Sequence, residues 1–406
     1  MKRARYLHNL FGLFFQTDWN KVKCVCVKST KSRGKPREED RAEEARRRSR
    51  GQKPPSEDKE EKTMSAHLTP KENYLRCLDG DIPEYIPAAS FGPMPGATEP
   101  VANILFTPTY LAGHRFADVK DIWGVTWVGN DEAMGGRLPE PGNFILDDIT
   151  RWRDVIKAPD ISGIDWEGMI KKQLDQYESM GCTRETTAIS LDLHFGFFMD
   201  LVSFMGFENG MIAMSEEPEE VHALLDYLCT FFESVADKVV PILNPDIIAL
   251  ADDVCSWRAP FVSEAMWREL ILPYHDRIAK YGRDRGLHIA MHCCGEAMEL
   301  IQSWRDIGVD HWNPAQTSND LDAVKAKYGN SMVIQGGFDG RGRLLESDVT
   351  EEELRNAVRD TINRLAPGGG YCWSGMIMGL RGDERTAWKN GIIQDEAKKL
   401  CADFYK

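Results

Sequence analysis

The sequence predicts an α/β chain, and within that class a (β/α)8 barrel of the TIM type. It reads as a single domain with helical additions at its N-terminal end. Three observations lead there. Apolar segments of strand length alternate with helical stretches from about residue 187 to the C-terminus. Those segments are apolar on both faces, as parallel strands covered by helices are. Nearly every one ends in a group that can bind a metal, move a proton or let a ligand approach, which is where such barrels carry their chemistry. A doubly wound open sheet is the rival, but no G-x-G-x-x-G follows the early strands.

The elements follow in order. "LTPKENYLRCLDGDIP" offers Thr69 as N-cap, Pro70 at the first helical position, Glu72 three residues after the cap and Gly80 as the stop. Together they form a capping box with the expected residues at both ends. "TAISLD" reads as a buried strand, 217–240 as a long helix and "DIIALADD" as a strand. A helix near 263–285 is opened by Ser263 and bent at Pro273. Then come "LHIAMH" (strand), 296–307 (helix), "VDHWN" (strand), 319–328 (helix), "MVIQGG" (strand), 351–365 (helix), "GGYCWSG" (strand) and a final helix near 384–404.

Charge divides the chain before Met64. Residues 1–63 carry 18 Lys/Arg against 10 Asp/Glu, so the rest of a chain of net charge −14 carries −22. The stretch "KSRGKPREEDRAEEARRRSRGQKPPSEDKEEK" is almost free of large apolar residues and cannot bury enough surface to order itself. We expect 1–63 to be a disordered basic extension or an over-called start, and 64–406 to be the functional domain. So acidic a domain repels phosphates, which argues against nucleic acid as a partner. No apolar run reaches bilayer length. The 10 cysteines are thinly spread, which points to a reducing compartment and a cytoplasmic location.

The strand ends supply the candidate chemistry. They are Asp192 and His194; Asp252 and Asp253; His292, Cys293 and Cys294; Asn313 and Gln316; Gly336, Gly337 and Asp339; and Cys372. Residues two apart on a strand share a side. His292 and Cys294 can therefore present an imidazole and a thiolate to one ion such as zinc, while Cys293 turns the other way and packs. The competing reading makes both cysteines small buried hydrophobes. Of Asp252 and Asp253, one is expected to do chemistry and the other to cap a helix or turn. The spacing does not say which. Asp192, His194, Asn313, Gln316 and Asp339 are candidates to bind substrate, and His275 and His288 read as structural.

"ADDVCSWRAPFVSEAMWRELILPYHDRI", "HCCGEAMELIQSWRDIGVDHWNPAQ", "KAKYGNSMVIQGGFDG" and "LAPGGGY", taken in order, resemble the signatures of the uroporphyrinogen decarboxylase superfamily. "MSAHLTPKENYLRCLDGDIPEYIP" is similar to that family's start. The resemblance spans about 64–406 and implies a TIM-type barrel. One branch of the family removes carboxylates from a tetrapyrrole without a cofactor, using an Arg-rich motif near its start and a histidine near the last strand. "YCWSGMIMGL" has no histidine, and 85–100 has no such motif. The other branch consists of zinc-dependent methyltransferases, active in one-carbon metabolism, that work with a corrinoid protein. They carry an H-x-C-G zinc motif, which His292, Cys294 and Gly295 match. The resemblance thus implies methyl transfer between a small molecule and a corrinoid protein, with zinc on His292 and Cys294, Asp252 or Asp253 in the catalytic role, and a homo-oligomer admitted. The family usually adds a cysteine after the last strand. Here Met376 and Ile377 stand at that place, so either Cys372 serves from a shifted position, or a carboxylate or Cys293 completes the site, or the metal is bound differently or not at all. A cofactor-free decarboxylase and a non-catalytic metal- or corrinoid-binding protein are the alternative functions.

Overall fold

The computed structural model describes residues 68–406 apart from 90–91, 94–97, 113–118, 131–135, 194–195 and 380–381. The expected extension 1–63 and the candidate His194 lie outside the described residues. Helix α1 (Pro70–Leu78) forms with both halves of its capping box: Thr69 accepts from the Glu72 N–H and the Glu72 side chain accepts from the Thr69 N–H. It is followed by β1 (Asn103–Phe106), the short α2 (Thr109–Ala112), an antiparallel pair β2 (Trp127–Asn130) and β3 (Gly136–Pro139), α3 (Trp152–Val155) and α4 (Trp166–Glu178). The regular part runs β4 (Ala188–Asp192), α5 (Phe197–Met205), α6 (Phe207–Glu216), α7 (Pro218–Leu243), β5 (Ile247–Ala251), α8 (Glu264–Met266), α9 (Leu272–Arg283) and β6 (His288–His292). It ends with α10 (Ile301–Asp306), β7 (His311–Ala315), α11 (Leu321–Tyr328), β8 (Val333–Gly336), α12 (Glu351–Leu365), β9 (Tyr371–Cys372) and α13 (Glu384–Asp403).

Seven strands pair in the order β1-β4-β5-β6-β7-β8-β9, all parallel. The order never reverses, whereas a doubly wound sheet reverses at its switch point. A parallel bridge between Ala88 and Trp373 occupies the eighth position beside β9. Its hydrogen bonds are Ala89 N–H to Trp373 O at 3.1 Å and Trp373 N–H to Pro87 O at 2.8 Å. This is the (β/α)8 barrel the alternation predicts. Two of the departures from expectation have a local cause. The bend near Pro273 is a π-turn over Trp267–Ile271, between α8 and α9; Pro273 has no N–H for the regular helix ladder, and the wider turn absorbs the loss. The helix expected from 296 begins at Ile301, because the Ala297 N–H is taken by the Asn319 side chain at 2.8 Å.

The strands bury both faces. Their outer face meets the helices in the large apolar core, which includes Ile248, Leu250, Ile289, Met291, Cys293, Trp312 and Ile334. Their inner face forms a smaller cluster of Ala188, Ile247, Ala249, Ala290, Val333 and Cys372, packed with Tyr74, Cys77 and Leu78 of α1. Helix α1 therefore closes the end of the barrel at which the strands begin, and the chemistry is left to the other end.

Candidate metal centre

His292 is the last residue of β6 and shares the inner face with Ala290. In register it stands between Ala251 of β5 and Asn313 of β7. The small Ala251 leaves the imidazole room, and Asn313 fixes it, with Oδ1 lying 2.8 Å from His292 Nδ1. When that carbonyl accepts the Nδ1 proton, Nε2 keeps its lone pair for another partner. Nε2 lies 3.8 Å from Cys294 Sγ and 3.9 Å from Asp253 Oδ1. The donor atoms of Asp253, His292 and Cys294 all fall within 4.8 Å of one another. Ligands roughly 2.0–2.3 Å from a tetrahedral zinc stand roughly 3.3–3.8 Å apart, so one nitrogen, one sulfur and one oxygen here fit such an ion with little movement. Three protein donors would leave a fourth position open.

Local backbone contacts hold these donors in place. Asp253 Oδ1 accepts the Cys294 N–H at 2.7 Å, tying the β5 and β6 ends together. Burial and the Asp253 carboxylate push the Cys294 thiol well above its ordinary pKa, so without a cation it keeps its proton. Gly295 turns the chain at φ +95°, and a Cβ there would stand 2.4 Å from Ser256 O. Its N–H donates to Gln316 Oε1 at 2.6 Å, and its carbonyl accepts from Asn319 Nδ2 at 2.8 Å.

The two adjacent aspartates separate cleanly. Asp252 is fully buried. Its carboxylate accepts the Phe198 and Met199 N–H groups at 2.9 and 3.0 Å and lies 3.0 Å from His275 Nε2. Gly196, at the N-cap of α5, makes no side-chain cap bond, and Asp252 satisfies the first turn from the neighbouring strand end. Asp253 is the carboxylate that reaches the metal group.

Residues 195–374 match the family model of uroporphyrinogen decarboxylase (URO-D). That stretch of the barrel is similar to the uroporphyrinogen decarboxylase family. Among solved structures, a methyltransferase from Methanosarcina mazei shares its fold, with a TM-score of 0.58 at 13% identity over 82% of this chain and 99% of that one. Among curated proteins, none matches the chain in sequence.

In the barrel the remaining candidates disperse. Cys372 does not join the metal group. It is fully buried on the inner face, with its thiol against that of Cys77 from α1. Strand β9 is short, and its inner face at 372 is still at the closed end of the barrel. Cys293 lies on the outer face, buried beside Cys255. The third member of the candidate group is thus a carboxylate, one of the options the sequence leaves open. Asp192 is buried at the end of β4 and accepts from Thr107 Oγ1 at 3.0 Å. Gln316 serves the Gly295 loop. Asp339 pairs with Arg341 through two contacts of 2.7 Å, and the Arg341 guanidinium lies 3.6 Å from the centre of the Trp257 ring. Asn319, Trp257 and Arg341 are not among the sequence candidates. Asn319 falls at the start of the expected 319–328 helix, but Asp320 caps α11 and Asn319 instead clamps the turn after β6.

Proposed function

We propose that residues 64–406 form a zinc-dependent methyltransferase that exchanges a methyl group between a small molecule and a corrinoid carried by a partner protein. The observation that carries the reading is the convergence of Asp253, His292 and Cys294 at two adjacent strand ends, with the Nε2 side of His292 facing the other two donors. Asn313 holds the ring in that orientation. Zinc held there would supply a Lewis-acid centre able to bind a thiolate or to polarise the oxygen or nitrogen that bears the methyl group. The chain's own part is to position: Asp253 fixes the Cys294 backbone and adds negative charge, and Asp192 lines the inner face near the end of β4. The solved methyltransferase with the same fold is consistent with this reading.

A cofactor-free decarboxylase would need free cationic groups to receive carboxylates. At these strand ends the described groups are mainly acids and amides, and Arg341 is already engaged by Asp339. The test is metal analysis of purified protein, followed by absorption spectra of a corrinoid protein with candidate methyl donors. Stoichiometric zinc and a donor-dependent change in the corrinoid band are expected. No metal and an unchanged band would remove the proposal. Zinc without methyl transfer from any donor would favour a binding protein.

A further inference from the structure

The starts of the strands carry a second cluster of titratable groups, at the end of the barrel that α1 closes. His288 opens β6, Asp310 stands just before β7 and Asp246 just before β5. Asp79 is the C-cap of α1. The His288 ring is held between two carboxylates from different elements. Its Nδ1 lies 2.7 Å from Asp310 Oδ2, and its Nε2 lies 3.4 Å from Asp79 Oδ1. An ionised carboxylate only accepts, so both contacts are hydrogen bonds only when both ring nitrogens carry protons. The imidazolium meets that condition and the neutral ring cannot. With one proton lost, the other stays on the closer bond to Asp310, and the Nε2 lone pair faces the Asp79 carboxylate. Asp79 also stands at the negative end of the α1 dipole, where a carboxylate is unfavourable and a cation is favourable.

The surroundings favour the cation. Asp246 adds a third carboxylate within electrostatic reach of the ring. It is shared with Lys71 of α1, whose Nζ lies 2.7 Å from Asp246 Oδ1. Arg305 of α10 acts on Asp310 from the other side. His311 of β7 also faces His288, but burial lowers its pKa to about 4, so it is neutral near pH 7. Burial alone would lower the His288 pKa; Asp310, Asp79 and Asp246 outweigh it and raise it above 6.5. Charge thus fastens α1 at both ends, by Lys71 and Asp246 at its first turn and by Asp79 and His288 at its last. We propose that protonated His288 is a latch that fastens the C-terminal end of α1 to the barrel, and that losing one proton releases that end. The stability it adds is fully present below about pH 6.5 and is lost as pH rises through the raised folded value. The latch is independent of the metal centre at the opposite end.

The test is hydrogen–deuterium exchange of the full chain at about pH 6 and about pH 9, corrected for the intrinsic exchange rate, on the wild type and on Asp79→Asn and His288→Gln. Between the two pH values the α1 amides of the wild type are expected to lose roughly two- to fivefold more protection than those of either variant, the worth of a cation at an exposed helix C-terminus. The Asp79 side chain is 64% exposed, so Asp79→Asn keeps the test available should His288→Gln fail to fold. The His288 ring, followed by nuclear magnetic resonance, should titrate above pH 6.5 and at a lower pH in Asp79→Asn. Equal loss of α1 protection in the wild type and Asp79→Asn would overturn the latch. So would a His288 ring that titrates at or below pH 6.5.

Discussion

Asn313 is the residue whose role is most separable from its neighbours. It donates nothing to the metal group directly, yet it decides which nitrogen of His292 faces Asp253 and Cys294. Losing such a support typically weakens metal binding by roughly 10–100-fold. Asn313→Ala should therefore lower zinc affinity by that order in a competition titration, with little change in Tm. Asp252→Ala should do the reverse. It strips two N–H groups of α5 and His275 of a buried partner, and should cost about 3 kcal/mol in denaturant unfolding while metal stoichiometry is kept. Sequence pattern could place both aspartates at a strand end. It could not divide their labour, because that depends on α5 arriving with a glycine at its cap and no side chain of its own to close the first turn.

At the scale of elements, the turn after β6 is the most exacting. Gly295 is at positive φ and packs directly on the backbone of 255–256. Glu296 N–H and Asn319 Nδ2 tie the same turn to the β5 and β7 loops. Gly295→Ala should displace the turn, destabilise the protein by about 2 kcal/mol or more, and reduce metal uptake; circular dichroism melting and metal analysis read the two effects. The strands and most helices are legible in the sequence because apolar runs and caps are local signals. The 351–365 helix is observed at Glu351–Leu365, and the Thr69 capping box forms. What is not legible is how far along the barrel axis each strand end lies. Cys372 and His292 both lie at strand ends, but β9 places its cysteine at the closed end beside Cys77. Stagger between tilted strands is a property of the closed barrel, not of any one segment.

For the whole molecule, the polar barrel interior has a consequence for stability. The His311 pKa is depressed in the folded state to about 4 from an ordinary 6.5, first by burial. The unfolded chain therefore binds this proton at higher pH than the folded one. The associated stability is fully present above about pH 6.5 and is lost as pH falls towards 4, by up to about 3 kcal/mol. His311→Gln should flatten that part of the pH–stability curve in urea unfolding between pH 7 and 4.5. An unchanged slope would mean that the ring is not buried neutral. Among the described residues no helix is long and apolar enough to cross a membrane.

Asp253, His292 and Cys294, and not Cys372, are the residues proposed to hold a metal at the open end of the barrel. Zinc or cobalt stoichiometry measured on the wild type and on Asp253→Ala, His292→Ala, Cys294→Ala and Cys372→Ala decides between them. A full complement is expected in the wild type and Cys372→Ala, and a loss in the other three. A full complement in Asp253→Ala, or its loss in Cys372→Ala, would contradict the proposal.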